Sequence, residues 1–236
     1  QGPHLSVSLL IHFWALTPYD LNTPSDRYKE MGRVVGAQLA KEAGQRERDP
    51  AQGRDDEHAH KRSLQKHETV MAQLRVETER QRGHCRAVKG KLKELKDTFF
   101  QPEETPGSCQ NVKALLKHCV LPRLNTGPEE AFYSAKMFII LHELGPKDFD
   151  SLGFLDMVMT AVVPQLVCRT EAETAGFAFF FRELLHLFRT WDSEAIYRME
   201  AKRKPGFAVP PPPSSTPTAT KQKGEGEGAA AAAAKD

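Results

Sequence analysis

The chain has 236 residues, 39% of them hydrophobic, and 33 Lys and Arg nearly balance 31 Asp and Glu to leave a net charge of +2. That length allows one or two domains with an adequate core, but the near-zero total conceals segments of different character and says little about partners. The four cysteines (Cys85, Cys109, Cys119 and Cys168) have no paired spacing, which excludes a disulfide framework and suits reduced thiols in a nuclear or cytosolic protein.

The first residue is Gln1, so the sequence reads as a piece of a longer protein. No run of 18 or more apolar residues is present, so no membrane-spanning helix is expected. The apolar opening lacks a small-residue cleavage site and does not read as a signal peptide. Residues 5–24 predict one short apolar helix or two, punctuated at Thr17-Pro18. Their large side chains, Phe13, Trp14, Leu16, Tyr19 and Leu21, dock either on later helices or on chain before Gln1, because each is worth roughly 1.5–3 kcal/mol when buried. A polar helix from Arg27 to about Ala43 follows, with Tyr28, Met31, Val35 and Leu39 as a thin apolar stripe. Residues 1–43 are thus read as helices continuing a larger upstream scaffold. Residues 44–60, with Gly, Pro and dense mixed charge, predict a flexible linker.

Residues 61–99 predict one long basic helix. Leu64, Met71, Thr78, Cys85, Leu92 and Phe99 recur every seven residues, and His67, Leu74, Gln81, Val88 and Leu95 follow three later. This is a coiled-coil register, weakened in its middle by Thr78, Gln81 and Gly83. Eleven Lys and Arg face five Asp and Glu over this stretch. Leu64, Met71, Leu74, Val88, Leu92 and Leu95 are the expected partner seam.

Residues 109–209 predict a compact helical domain. A helix from Val112 to Leu121 stops at Pro122, and Thr126 with Glu129 and Pro128 signals the next start. That next helix is apolar on two sides, with Ala131, Ala135, Phe138 and His142 on one and Met137, Ile140, Leu141 and Leu144 on the other, so it is expected to be central. Gly145-Pro146 ends it. Ser151–Val167 is an apolar helix bent at Pro164. Thr170 and Glu173 form a capping box for a Phe-rich helix, Phe177 to Trp191, expected to be buried all round. A last helix, begun at Asp192 or Ser193, leads to Lys202-Arg203-Lys204. Residues 210–236 are low-complexity Pro, Ser/Thr, Gly/Glu and Ala, and predict a disordered tail.

No constellation of catalytic type emerges. Cys109, His118 and Cys119, or His58 with His60, lack the close ligand pairs of a structural zinc site. A Cys119 nucleophile with His142 or His186 has no oxyanion hole beside it. No cofactor and no small-molecule substrate are implied. The basic residues leave two readings open. Lys89, Lys91, Lys93, Lys96, Arg123, Lys202, Arg203 and Lys204 contact a phosphate backbone, or such charge merely solvates a helical exterior.

Trp14–Leu21 (WALTPYDL), the Cys119–Arg123 turn (CVLPR), the helix bearing Ala131, Tyr133, Ala135 and Phe138, Leu141-His142, Asp148-Phe149, and the close on Arg189, Trp191 and Pro205–Phe207 occur in an order that resembles the C-terminal region of the family of the second and largest THO complex subunit. The resemblance covers about residues 8–209. It implies an all-α, helical-repeat (α-solenoid-like) bundle that serves as a nuclear scaffold without catalytic activity. It also implies contact with other THO/TREX subunits in the coupling of transcription to mRNA packaging and export, and mRNA or DNA contact through basic segments. The alternative is an independent basic helical module that binds nucleic acid without THO assembly.

Overall fold

The computed structural model describes residues 4–48, 54–103, 109–202, 204 and 207. The tail expected to be disordered, residues 210–236, lies outside them, as does Arg203. The described residues are all-α, with one isolated antiparallel bridge between Leu5 and Phe100.

Two short helices open the chain, α1 (Val7–Ala15) and α2 (Pro18–Leu21). The Ser6 side chain accepts from the Leu9 N–H to cap α1. Pro18 does not end a helix but starts one, where its missing N–H costs nothing, and Thr17 and Asp20 cap it reciprocally. Helix α3 (Ser25–Arg48) and helix α4 (Arg54–Leu95) are long. Residues 44–48 and 54–60 are therefore helical where a linker was expected over 44–60, and residues 49–53 of that stretch lie outside the described residues. In the helical parts the density of Arg, Gln, Glu and Ala, all good helix formers, outweighs Gly44.

Helix α5 (Gln110–Leu115) runs through a π turn (Leu116–Val120) into α6 (Leu121–Leu124). Pro122 was expected to end this helix, yet it lies inside the helical path. In the π turn the Leu121 N–H reaches back to the Leu116 carbonyl, and the wider ring leaves room where a proline would clash with an α-helical carbonyl. The same device recurs after α8 (Ser151–Met157), where a π turn (Val158–Val162) precedes Pro164 and a 3₁₀ stretch through Cys168. Over Ser151–Cys168 the mean hydropathy is 1.6, enough by length and composition alone to cross a membrane, which corrects the sequence expectation. Here the path is kinked, and Phe154, Leu155, Val158 and Val162 pack into the core.

Helix α7 (Pro128–Leu144) is the central element: Ala131, Tyr133, Ser134, Ala135, Met137, Phe138, Ile140, Leu141 and His142 are all buried. It packs on α9 (Glu171–Trp191), α6 and α2. Thr126 does not cap α7; its hydroxyl donates to the Arg123 carbonyl and closes α6 instead. Gly145 ends α7 at φ 57°, the left-handed conformation that favours glycine, with its N–H on the Leu141 carbonyl. At Gly176 a Cβ would come within 2.9 Å of the Leu124 carbonyl, so α9 approaches α6 at backbone distance. Helix α9 is capped by Thr170 and Glu173 as expected, but it is not buried all round. Phe177, Phe180, Leu184 and Leu187 face inward while Phe179 and Leu185 are exposed. Helix α10 (Glu194–Glu200) follows Ser193.

One hydrophobic core joins Leu5, Leu9, Phe13 and Leu21 to Leu92, Phe99 and Phe100, and to α5–α9. The opening helices therefore dock on later ones through Phe13, Leu16 and Leu21, whereas Trp14 and Tyr19, expected to dock with them, are exposed. The boundaries at 1–43, 61–99 and 109–209 do not separate packed units, because all three stretches share this core. Helix α3 and the N-terminal half of α4 project from it as a two-helix arm.

Candidate interaction surfaces

Arg123 comes last but one in α6, with its side chain pointed into the body. Its Nη2 donates to the Leu16 carbonyl at 2.8 Å, Nη1 donates to the Phe13 carbonyl, and Nε pairs with Glu130. The guanidinium lies 3.5 Å from the centre of the Tyr133 ring. A planar fork can satisfy two carbonyls and one carboxylate at once while stacking on an aromatic face. One carbonyl belongs to the last turn of α1 and the other to Leu16, its C-cap residue, where carbonyls lack partners within the helix. Arg123 therefore locks α1 to α6 and α7, and it is buried. As a nucleic-acid contact it is corrected: phosphate cannot reach it. Burial pushes the neighbouring Cys119 thiol up to about 12 despite Arg123, so this sulfur stays a neutral core group rather than a nucleophile.

Three of the nominated lysines converge on the C-terminal end of α7. Lys89 pairs with Glu143 at 3.0 Å, Lys96 Nζ donates to the Leu144 carbonyl at 3.0 Å, and Lys204 Nζ donates to the Glu143 carbonyl. Cations there complement the negative end of the helix and satisfy its last carbonyls. Burial first, and then Lys96, lowers the pKa of Lys204. Lys91, Lys93 and Lys202 are exposed. Under this lysine cap lies His142, sealed among Phe138, Trp191 and Phe207. Neither of its ring nitrogens has a hydrogen-bond partner among the described residues. Burial, reinforced by Lys204, lowers its pKa to about 4.

The seam residues divide between two places. Leu92 is in the body core, with Val88 and Leu95 packed against it. Leu64, Met71 and Leu74 are half-buried on the arm, which α3 accompanies. The seam reserved for another chain is thus largely taken by this chain's own helices, since an antiparallel neighbour only a few residues away in sequence closes at small entropic cost. Gln81, the polar flaw in the register, sits where the arm leaves the body. Its amide donates to the carbonyls of Tyr19 and Asn22, next to a His84–Asp20 contact of 2.7 Å. Farther out, the Tyr28 hydroxyl donates to Glu77, and Ser63 donates to Glu42.

Among the described residues no three His, Cys, Asp or Glu gather as a metal site. What remains accessible is a set of surfaces. An open groove of about 670 Å³ between α2, α7 and α9 is bounded by Tyr19, Phe132 and Phe179, with Arg27 and Arg182 on its rim. A second groove, of about 430 Å³, runs between α3 and α4. Sequence reasoning missed Gly32, which lines the second; the signal was a glycine four residues from Gly36 on the α3 stripe. Val7, Ile11 and Trp14 form an exposed face on α1. Both grooves are open and lined by a mixture of apolar and charged side chains.

A body of kinked helices packed around one central helix defines an all-α helical protein. Residues 3–221 match the family model described as Tho2, transcription factor/nuclear export subunit protein 2, and the chain belongs to that family. It is 27% identical over 207 residues to THO complex subunit 2 of Arabidopsis thaliana, covering 87% of this chain and 11% of that protein. It is 25% identical over 198 residues to THO complex subunit 2 of Homo sapiens, covering 83% of this chain and 12% of that one. The armadillo Dasypus novemcinctus protein of the same name is 24% identical over 196 residues. The chain therefore spans about one ninth of the length of these curated relatives. No solved structure matches it.

Proposed function

We propose that this chain is part of a non-catalytic scaffold subunit of the THO portion of TREX, acting in the nucleus where transcription is coupled to mRNP assembly and mRNA export. The observation that carries the reading is the family match over most of the chain, joined to relatives named as subunits of the THO complex. The geometry agrees with it. Helices buried on several sides form a rigid body, and an arm and open grooves present surfaces for neighbours. Solenoid-like stacking with the rest of such a subunit is part of the same proposal. Native purification of the tagged full-length protein is expected to recover the other THO subunits in fixed proportion. Recovery as a lone monomer would sink the reading.

A second reading, phosphate-backbone contact, rests on exposed Lys91, Lys93 and Lys202, close in sequence to lysines that cap α7. Binding of single-stranded RNA titrated against salt is expected to give a steep log–log slope. That slope should shrink on Lys91→Ala, Lys93→Ala and Lys202→Ala together, and an unchanged slope would discard the reading.

A further inference from the structure

The arm carries an outward-facing flaw in its packing. Helix α3 contributes Tyr28, Gly32, Val35 and Leu39 toward α4, and Gly32 supplies no side chain at its turn. A Cβ built there would stand 3.8 Å from Leu74 Cδ2, an ordinary contact with room beyond it. The result is the groove of about 430 Å³, with Met71 and Leu74 in its floor and Tyr28 and Thr78 at its sides. Both long helices satisfy their own backbone, so nothing here offers an edge to an extended peptide. Two neighbouring helices with a furrow between them offer a seat for a third helix, whose side-chain ridge fills the furrow.

Charge selects the occupant. Lys29, Arg75 and Arg82 line the groove against Glu79 alone. Lys29 pairs with Asp26 and Arg82 with Glu79, all well exposed, and exposed pairs of this kind hold weakly. Arg75 has no ion-pair partner among the described residues. A second copy of the same arm would bring these cations against their own kind. A nucleic acid would use the cations and leave Met71 and Leu74 untouched. An acidic amphipathic helix uses both.

We propose that the α3–α4 groove is the docking site for an acidic amphipathic helix of a partner protein. One large aliphatic side chain of that helix enters the space above Gly32, and its carboxylates face Lys29, Arg75 and Arg82. The assembly-subunit reading supplies only the source of such a helix, so the site is tested without it.

The probe is a fluorescent synthetic helix of about three heptads, with Leu at the a and d positions and Glu at e and g. It is titrated into the full chain beside a Lys-for-Glu counterpart and a single-stranded RNA of similar length. The Glu helix is expected to bind saturably and the Lys helix not. Gly32→Leu, which fills the furrow with a better helix former, is expected to weaken binding roughly tenfold or more. Gly32→Gln, a polar filler, serves should the leucine variant misfold. The Arg75→Glu/Arg82→Glu pair is expected to exchange preference toward the Lys helix. Failure of the Glu helix to bind, or unchanged affinity on filling Gly32, overturns the proposal. RNA binding that is lost on Arg75→Glu/Arg82→Glu but indifferent to Gly32→Leu also overturns it and gives the groove to nucleic acid. None of these outcomes alters what native purification recovers, so the scaffold reading stands or falls separately.

Discussion

The body and the arm are built from the same alphabet of helices yet held by different means. In the body, Phe138 lies 4.2 Å from the Phe154 ring centre and stacks on it, with Phe149 beside them and Phe100 stacked on Phe149. Buried side chains touch across five or more elements, with Asn111, Arg123, Ser134 and His142 among the polar groups buried between them. In the arm, Val35 is the one buried hydrophobic residue of α3 among the described side chains, and the seam residues Leu64, Met71 and Leu74 are half-covered. A helix held by one neighbour loses little when a side chain changes. A helix held on every side loses a great deal. Stability here is concentrated, and the arm is left free to be completed by something else.

The sharpest test of that contrast is Phe138→Ala, expected to cost about 3–5 kcal/mol in a urea titration. A loss below about 1 kcal/mol would show that the stacked ring is not core. Arg123→Met comes next, at about 3 kcal/mol, because it strands the Phe13 and Leu16 carbonyls away from water. A neutral result would mean that α1 is held by Leu9 and Phe13 alone. The third test uses acid. His142 stays neutral in the folded state down to about pH 4, while an unfolded histidine takes a proton near its ordinary value of 6.5. The unfolded state therefore binds more protons in that window, so the stabilisation is complete above about pH 6.5 and is lost as pH falls toward 4. The loss is on the order of 2–3 kcal/mol. Lys204 and Glu143 face the ring, and His142→Leu should flatten this part of the profile. An equally steep profile in the variant would assign the acid sensitivity to carboxylates. The smallest effect belongs to the arm. Gly36→Ala meets nothing within 4 Å and is expected to stabilise α3 by about 0.5–1 kcal/mol. Amide hydrogen exchange should slow in the arm and not in the body; slowing in both would mean that the two unfold together.

The central role of α7 was legible because its apolar residues fall on two sides of one helix, a pattern that only a surrounded helix sustains. The capping box at Thr170 was legible because it is local. Pro122 was misread because the rule that proline ends a helix assumes α geometry, and nothing in Leu116–Val120 announces a π turn. The partners of Lys96, Lys204 and Arg123 were not legible, for another reason. Charge in a sequence says nothing about which carbonyl lies 3 Å away, and Lys96 and Lys204 meet the α7 end only through tertiary packing. Gln81 looked like a defect in a seam, and its partners, the Tyr19 and Asn22 carbonyls, lie some sixty residues earlier.

The π turn before Pro122 also sets an angle. Each residue of an α-helix advances by about 100° around its axis, and a π turn absorbs one residue more than an α turn between its bonded groups. Closing the same Leu116–Val120 residues as plain α-helix, with none removed, would swing Arg123 by about that angle. The guanidinium would then leave the α1 carbonyls for solvent, with every side chain of the lock still present in the sequence. In this helix the timing of one residue, and not its chemistry, decides whether the N-terminal segment is attached.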